Sequence, residues 1–513
     1  MRQLTSLDAQ FLAVESPSTY GHVSGLAILD PCNAPGGHLR ITDIAQLVSE
    51  RIHLLPPFTC RLVDVPFGLD LPYWIEDPDF DLDFHVREIA LAPPGDDRQL
   101  AEQVSRIVAR PLDRSRPLWE LYLIHGLAGG RVATLTKIHH AVVDGVSGAE
   151  ILGILLDASP EGRDVEPAAG ARVGERAPSQ LEMLGRGLLG IPRTPVRMVR
   201  ALPAAMQLTS MPMVRGLQGI GTLAAAVDRV TNQLLGIRRG SADGAVLEAP
   251  AVRAPRTRFN GRISPHRRFA YGSVSLDKVK AIKNAAGVTL NDAVIALCAS
   301  ALRVWMLERG ELPDEPLVAM VPVSVRKPDQ MGTFGNRVSM MFVPIPTDEP
   351  DPQRRLERAH EVMKIAKDQH GAMPADVLQD AGQFIPPALM ARANRVTTQL
   401  ATGRMRPALN LVISNVPGPR YPLYMAGARL VANYPVSVII DGVGLNITCL
   451  SYLDSVDFGI VVDREQVDDA WPMMEAMVEA LDEMERVICG PTPATPTPPP
   501  SEPAPLKPAQ AAR

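Results

Sequence analysis

The 513-residue chain is poor in cysteine. It has Cys32, Cys60, Cys298, Cys449 and Cys489, an odd number, far apart and never spaced C-x-x-C. A disulfide framework is thereby excluded, and the pattern is that of reduced thiols in a cytoplasmic protein. It also lacks an excess of either charge. Lys+Arg 52 against Asp+Glu 57 leaves a formal charge of −5 and a pI near 6.1, which argues against an extended nucleic-acid surface. No apolar run is read as reaching membrane-spanning length. The start, MRQLTSLDAQFLAVES, carries Asp8 and Glu15 where a signal peptide needs an unbroken apolar core, so no secretion signal is expected. H-E-x-x-H and G-x-S-x-G are both missing, which removes the commonest zinc-peptidase and serine-hydrolase signatures.

What is present is apolar side chain and proline. With 46% hydrophobic residues, 21% charged and mean hydropathy +0.02, the chain can bury several cores and is not disordered. Of its 48 prolines, nine fall between Pro491 and Pro508, marking residues 490–513 as a polyproline-like tail. A Gly-, Pro- and charge-rich stretch after Leu156 opens a connector over 161–265, leaving residues 1–160 and 266–489 as two halves. Within the connector, Met183 to Gly240 holds eight arginines against Asp228, a net +7. Val214, Leu217, Ile220, Leu223, Val227, Val230 and Leu234 recur there at helical spacing. Two readings stay open: a basic amphipathic surface lying on anionic membrane or a lipid body, or a helical crossover packed on its own domains.

Both halves read as mixed α and β. HVSGLAIL and RVATLTKI are strand candidates in the first, with a helix over Asp97–Ala109. In the second, a strand from Arg267 leads into two helical stretches. Then LVAMVPVSV, NRVSMMFVPI, LNLVISNV, VSVII, LNITCLSYL and VDFGIVVD are expected as strands.

Chemistry concentrates in RVATLTKIHHAVVDGVSGAEILGILLD, read as strand, loop and helix. Adjacent strand side chains face opposite ways, so of His139 and His140 one is expected to be packed and the other reactive. Gly145 permits a tight loop, and Ser147 with Glu150 has the spacing of a capping box. An imidazole suits proton removal from an alcohol. No third histidine or cysteine sits at ligand spacing, so no metal is expected. Elsewhere, Asn291 or Asp292 reads as a helix cap, Trp119 as a core anchor, and Pro417–Gly418–Pro419 as a rigid turn. Asp457, Phe458 and Gly459 form no kinase signature, because its companion motifs are missing.

Several ordered motifs raise this above a lone HHxxxDG: PLDRSRPLWE (Pro111–Glu120), HHAVVDG (His139–Gly145), TLNDAVIA (Thr289–Ala296), VPVSVRKPDQMGTFGN (Val321–Asn336) and NLVISNVPGPRYPLYMAG (Asn410–Gly427). Together they make the chain resemble the bacterial wax ester synthase/acyl-CoA:diacylglycerol acyltransferase family, in particular its actinobacterial triacylglycerol synthases, from LTSLDAQFL to VDFGIVVD. The resemblance implies a mixed α/β fold of two CoA-dependent acyltransferase-like domains, a pseudo-dimer with the reaction tunnel between them. It further implies His140 as general base, His139 as its packed neighbour and Asp144 as structural. Arg326 would be the ionic partner of Asp144, with Arg116 as runner-up, and the oxyanion would need donors from a loop amide near Gly145 or from a side chain of the second half. Asn291 and Asp292 would support the site, and Trp119 is a candidate for lining the acyl path.

The implied substrates are acyl-CoA, as co-substrate with no cofactor, and diacylglycerol or a long-chain fatty alcohol. The implied location is cytoplasmic, peripheral on the inner membrane face or lipid bodies. Two alternatives accompany this expectation: a condensation-type enzyme using a carrier-protein-bound acyl donor, and a lipid-body surface protein with no catalysis.

Overall fold

The computed structural model describes residues 1–142, 151–167, 174–190, 254–324, 338–371 and 406–490. Its strands, in chain order, are β1 (Arg2–Gln3), β2 (His22–Asp30), β3 (Cys60–Val63), β4 (Tyr73–Glu76), β5 (Val86–Ala90), β6 (Trp119–His125), β7 (Val132–His139), β8 (Arg267–Ser275), β9 (Leu317–Ser324), β10 (Val338–Ile345), β11 (Leu411–Val416), β12 (Tyr424–Met425), β13 (Ala428–Val436), β14 (Leu445–Tyr452) and β15 (Ser455–Asp463). The helices are α1 (Ser6–Ala13), α2 (Ile41–Arg51), α3 (Leu82–His85), α4 (Asp97–Val108), α5 (Gln180–Gly190), α6 (Leu276–Ala286), α7 (Leu290–Leu307), α8 (Pro352–Gly371) and α9 (Trp471–Ile488).

Two six-stranded sheets organise the molecule, ordered β12-β13-β2-β7-β6-β5 and β10-β9-β11-β14-β15-β8, beside a small sheet β1-β4-β3. The second sheet carries α6 to α9 over a core that includes Phe458, Ile447, Trp305, Met363 and Met477. Burying side chains of that size stabilises the fold by roughly 1.5–3 kcal/mol each. Contrary to the expectation of no membrane-length run, α7 is long and apolar enough to cross a membrane by length and composition. It is 72% buried against this core, and so reads as a core helix. Thr289 caps α7, and Asp292 reciprocates as the third residue of a capping box, so Asp292 serves the cap without occupying the cap position.

The predicted strands appear, with one exception. VSVII is no strand: Val436 ends β13, and Ile440 makes only an isolated bridge to Val443. The loop's polar groups are met by side chains instead of a ladder. Asn446 Nδ2 donates to the Val438 carbonyl at 2.9 Å, and the Thr448 hydroxyl donates to Ser437 Oγ at 2.9 Å. The sequence reading missed β1, β3, β4, β5, β6 and β12, and also β13. β13 leaves the second half and pairs antiparallel with β2, bringing residues 424–436 into the first sheet. At the other boundary, Phe259 belongs to the second core, and Asn260 donates to the Leu409 and Gly442 carbonyls. Residues from Ala254 onward therefore pack with the second half rather than hanging as connector.

Where the sheets meet, one apolar cluster draws on both halves, including Leu26, Leu100 and Leu135 with Phe269, Val436 and Val461. Polar ties cross the same seam. Arg267 Nη2 donates to the Ser18 carbonyl at 2.5 Å, and the Tyr271 hydroxyl donates to Asp97 Oδ1 at 2.8 Å. Asp457 fixes the crossing strand by accepting the Asn433 N–H at 2.9 Å and the Ser273 and Ser455 hydroxyls at 2.7 Å. A Cβ on Gly459 would lie 1.7 Å from the Pro435 carbonyl oxygen, so only glycine allows β15 and β13 this approach. The V-D-F-G run is thus a joint between the sheets.

Candidate active site

β7 ends at His139, deep in the first sheet between β2 and β6. The two imidazoles differ in exposure: His139, the last residue of the strand, is 1% exposed, whereas His140, in the turn that follows, is half-buried. The backbone at this point is pinned on both sides. His139 N donates to the Leu118 carbonyl at 3.0 Å, and His140 N donates to the Gly21 carbonyl at 2.7 Å.

The His139 ring has both nitrogens engaged. Its Nδ1 accepts the Ala141 N–H at 3.0 Å, which places the ring proton on Nε2, and Nε2 donates to Glu15 Oε1 at 3.1 Å. Glu15 follows α1 and is held in turn by the Gly21 N–H at 2.8 Å and by Arg114, whose Nη2 lies 2.5 Å from Oε2. Burial works to raise the Glu15 carboxyl. The bonds from His139 and Gly21 and the Arg114 charge outweigh it and hold the group at about 2. The His140 ring lies flat on Phe11 of α1, with centroids 4.0 Å apart and planes 7° from parallel. One helix and the turn just after it therefore fix both histidines.

Gly21 has room for no side chain. A Cβ there would sit 2.6 Å from His139 Nε2 and 3.0 Å from the Phe11 carbonyl oxygen. Beyond the motif loop, residues 151–155 are helical, and Arg51 of α2 closes their end. Its Nη1 donates to the Ile154 carbonyl at 3.0 Å, and its Nη2 pairs with Asp157 at 2.7 Å, both side chains buried. Asp157 exchanges backbone hydrogen bonds with Tyr424 of β12, so the crossing segment also braces the motif.

The PLDRSRPLWE motif supplies structure around this point. Trp119 is buried, stacks on His85 with centroids 4.5 Å apart, and donates from Nε1 to the Phe58 carbonyl at 2.8 Å. It also borders a small apolar void with Val48, Leu121, Ile138 and Leu155. Glu120 receives the Tyr122 hydroxyl at 2.9 Å and pairs with buried Lys137 at 3.3 Å. Lys137 also donates to the Ile107 and Arg110 carbonyls, closing the end of α4. Arg116 lies over the Phe84 ring at 4.3 Å.

Asn291 and Asp292 sit at the head of α7 on the second sheet. Asn415 of β11 donates from Nδ2 to Asn291 Oδ1 at 3.3 Å. Buried Asp292 accepts the Thr289 N–H at 3.0 Å and shares a 2.7 Å hydrogen bond with Nδ1 of His360 from α8. The structure thus groups His139 and His140 with Glu15 and Gly21, and holds the Asn-Asp pair by Asn415 and His360. Asp144, Gly145, Ser147, Glu150 and Arg326 lie outside the described residues, as does the Val214–Leu234 stripe.

Sequence reasoning missed Phe11, Glu15, Gly21, Arg114 and His360. Arg114 lies inside PLDRSRPLWE, whereas Glu15 was visible only as an acid that interrupts the N-terminal apolar run.

Known proteins resemble this chain along nearly its whole length. Residues 4–294 match the wax ester synthase/diacylglycerol acyltransferase catalytic domain, and residues 334–485 match the C-terminal domain of the same family. A Mycobacterium tuberculosis protein named as a candidate diacylglycerol O-acyltransferase, Rv1760, is 36% identical over 486 residues, 94% of this chain and 90% of that protein. Another from the same organism, named as the probable diacylglycerol O-acyltransferase tgs2, is 33% identical, covering 94% and 98% of the two chains. Among solved structures, the wax ester synthase/diacylglycerol acyltransferase of Marinobacter aquaeolei VT8 superposes with a TM-score of 0.65 at 29% identity, covering 95% of this chain and 100% of that one. The first condensation domain of the CDA synthetase shares the fold, with a TM-score of 0.52 at 16% identity and coverage of 95% and 97%. With paired histidines at a strand end, two sheets joined by a crossing strand and both family domains matched in order, the chain belongs to the wax ester synthase/diacylglycerol acyltransferase family and is an acyltransferase of the pseudo-dimeric fold.

Proposed function

We propose that the protein moves a long-chain acyl group from acyl-CoA to the hydroxyl of diacylglycerol, giving triacylglycerol, with His140 as the general base. The carrying observation is the state of its neighbour: His139 has both ring nitrogens committed, to Ala141 and Glu15, and so cannot take a substrate proton without breaking the site. His140, half-buried and held flat by Phe11, is the histidine of the pair suited to that task.

In the proposed reaction the acceptor hydroxyl gives its proton to the His140 imidazole as its oxygen bonds to the thioester carbonyl carbon. The tetrahedral oxyanion then collapses, the C–S bond breaks, and the imidazolium returns the proton to the CoA thiolate. No acyl-enzyme and no cofactor is needed. A loop amide near Gly145 would stabilise the oxyanion. Asp144 would brace the loop against Arg326, with Arg116 as the second choice. Asn291 and Asp292 would support the site from the second half, and Trp119 would shape the first-half wall.

Relatives named for diacylglycerol acylation favour that acceptor, while the wax ester synthase half of the family description keeps a long-chain fatty alcohol as the second reading. Both acceptors reside in lipid, which supports the reading of a cytoplasmic enzyme peripheral on a membrane or lipid-body surface. The test is labelled acyl-CoA transfer by purified protein to a panel of diacylglycerol and fatty alcohols, beside His140→Ala. Loss of at least about a hundredfold is expected for the variant. Normal transfer by folded His140→Ala would reject the assignment, and exclusive use of a carrier-protein-bound donor would reject the donor.

A further inference from the structure

The ring of His140 meets the ring of Phe11 face to face, and that geometry favours one charge state of the histidine. The centroids are 4.0 Å apart and the planes 7° from parallel. Pairs of neutral aromatic rings favour offset or edge-on arrangements with centroids about 4.5–7 Å apart, because both faces carry negative charge density. Here the spacing leaves little lateral offset, so a neutral imidazole gains little from the contact beyond burial. An imidazolium gains more. Its positive charge lies over the negative face of the Phe11 ring, well within the roughly 6 Å over which a cation is drawn to an aromatic face.

The stack is held from both sides. Phe11 stands on α1, whose start is capped by Thr5, the hydroxyl oxygen accepting the Asp8 N–H at 3.1 Å. Arg114 clasps the other end, donating from Nη2 to the Leu12 carbonyl at 2.8 Å. On the facing side, His140 N donates to the Gly21 carbonyl at 2.7 Å, and a Cβ on Gly21 would lie 3.0 Å from the Phe11 carbonyl oxygen. Two other histidines show what a structural stack looks like here. His22 lies on Tyr20 at 5.8 Å and His85 on Trp119 at 4.5 Å. Both are buried, both bond a backbone carbonyl, and burial pushes both below the usual histidine value. His140 is stacked more closely and is half-buried, where water can reach a charged ring. The ionisable groups of the surrounding elements are His139 and Glu15, bonded to each other, Arg114, paired with Glu15, His22, across the ladder from His139, and Asp8, buried three residues before Phe11. Changing Phe11 leaves every one of them in place.

We propose that Phe11 is a positioning residue of the acyl transfer: its ring face stabilises His140 as the imidazolium and so strengthens it as the base that takes the acceptor's hydroxyl proton. In that reaction the imidazolium exists between proton uptake from the hydroxyl and its return to the CoA thiolate. The contact is therefore strongest while the tetrahedral oxyanion stands, which is where added binding accelerates the step. The inference rests on the reading of His140 as general base, and it gives the N-terminal helix a part in the chemistry beyond packing.

The experiment titrates the His140 imidazole by NMR in the full-length protein with ring-labelled histidine, its signal assigned by its loss in His140→Gln. Beside it runs the pH profile of kcat/KM for labelled acyl-CoA transfer. Phe11→Leu and Phe11→Met keep an apolar side chain without a π face, whereas Phe11→Tyr keeps the ring. Both aliphatic variants should titrate His140 about half a pH unit or more below wild type and move the acid limb of kcat/KM down with it. Their plateau kcat should fall about twofold to fivefold, as expected for a weaker base. Phe11→Tyr should match wild type in titration and in acid limb. A His140 titration in folded Phe11→Leu or Phe11→Met that coincides with wild type overturns the proposal even where turnover falls, since packing alone then accounts for the loss. An equal downward shift in Phe11→Tyr overturns it as well. Transfer retained by His140→Gln would sink the general-base reading, and the role of Phe11 with it. Transfer lost in His140→Gln with the titration unmoved in the Phe11 variants would sink only this inference.

Discussion

His139 Nε2 and Glu15 Oε1 stand 3.1 Å apart, and the direction of that bond is settled by the Ala141 N–H on the far side of the ring. Glu15 thus holds the imidazole in one tautomer, and Arg114 and Gly21 hold Glu15. Glu15→Gln keeps an acceptor for His139 but turns away from Arg114, and should lower kcat by about tenfold or more with little change in KM, as expected for lost orientation. An unchanged kcat would remove Glu15 from the positioning chain.

The same group dictates an acid limb. A carboxyl ordinarily near 4.5 that is held at about 2 contributes stability above pH 4.5, and that contribution disappears as pH falls from 4.5 towards 2. By linkage it amounts to about 3 kcal/mol at most. Melting temperature measured from pH 6 to pH 2 should therefore fall more steeply for wild type than for Glu15→Gln below pH 4.5. Parallel curves would contradict the depressed carboxyl.

Gly21 is where this arrangement tolerates least. Its carbonyl receives His140 N, its N–H serves Glu15, and a Cβ would lie 2.6 Å from His139 Nε2. Gly21→Ala should cost about 1–3 kcal/mol by overpacking and lower kcat more than Glu15→Gln does. Paired denaturant melts and single-turnover assays would check both, and a variant with normal turnover would mean that the histidine pair is not confined as the structure has it.

Trp119 separates a wall residue from a ligand-binding one. Its indole fills the space between His85 and Phe58 and bonds the Phe58 carbonyl, so Trp119→Ala should destabilise by about 3–5 kcal/mol. Trp119→Phe should lose about 1 kcal/mol with its hydrogen bond. If the residue only anchors, Trp119→Phe keeps the wild-type preference among acyl chain lengths. A shifted preference would place it on the acyl path.

The sequence was legible at several local elements. β7 into the histidine pair, α4, and α6 followed by α7 all follow from periodicity and end signals. What stayed hidden depends on pairing across long separations. β13 is interrupted by Pro435, and its partner β2 lies some four hundred residues earlier, so nothing near it in sequence announces a strand of the first sheet. VSVII looked like a strand because its apolar residues are β-branched, but they line a loop whose polar groups are bonded by Asn446 and Thr448. Glu15 was visible only as an acid that interrupts the N-terminal apolar run. Its pairing with Arg114 needs α1 to lie against the end of β7, which composition cannot show.

Asp457 tests whether the two halves depend on the crossing strand. The carboxylate is fully buried, receives the Asn433 N–H from β13, the Ser273 hydroxyl from β8 and the Ser455 hydroxyl from its own strand, and so ties three strands at one point. Burial pushes its carboxyl up, against the pull of those bonds, so its charged form is not a source of stability at neutral pH. With the folded value raised, the contribution of this group is present at acid pH and lost as pH climbs through that value, opposite in sign to Glu15. Asp457→Ala removes the charge but leaves a backbone N–H and two hydroxyls without their acceptor. At about 1–3 kcal/mol for an unpaired buried group, the loss should exceed any relief from removing the charge, giving a net destabilisation of about 2–4 kcal/mol. The deficit should be largest at low pH and shrink towards pH 7. Denaturant titrations from pH 4 to pH 7 would show it, and a variant as stable as wild type throughout would mean that the apolar seam and its other polar ties join the sheets without Asp457.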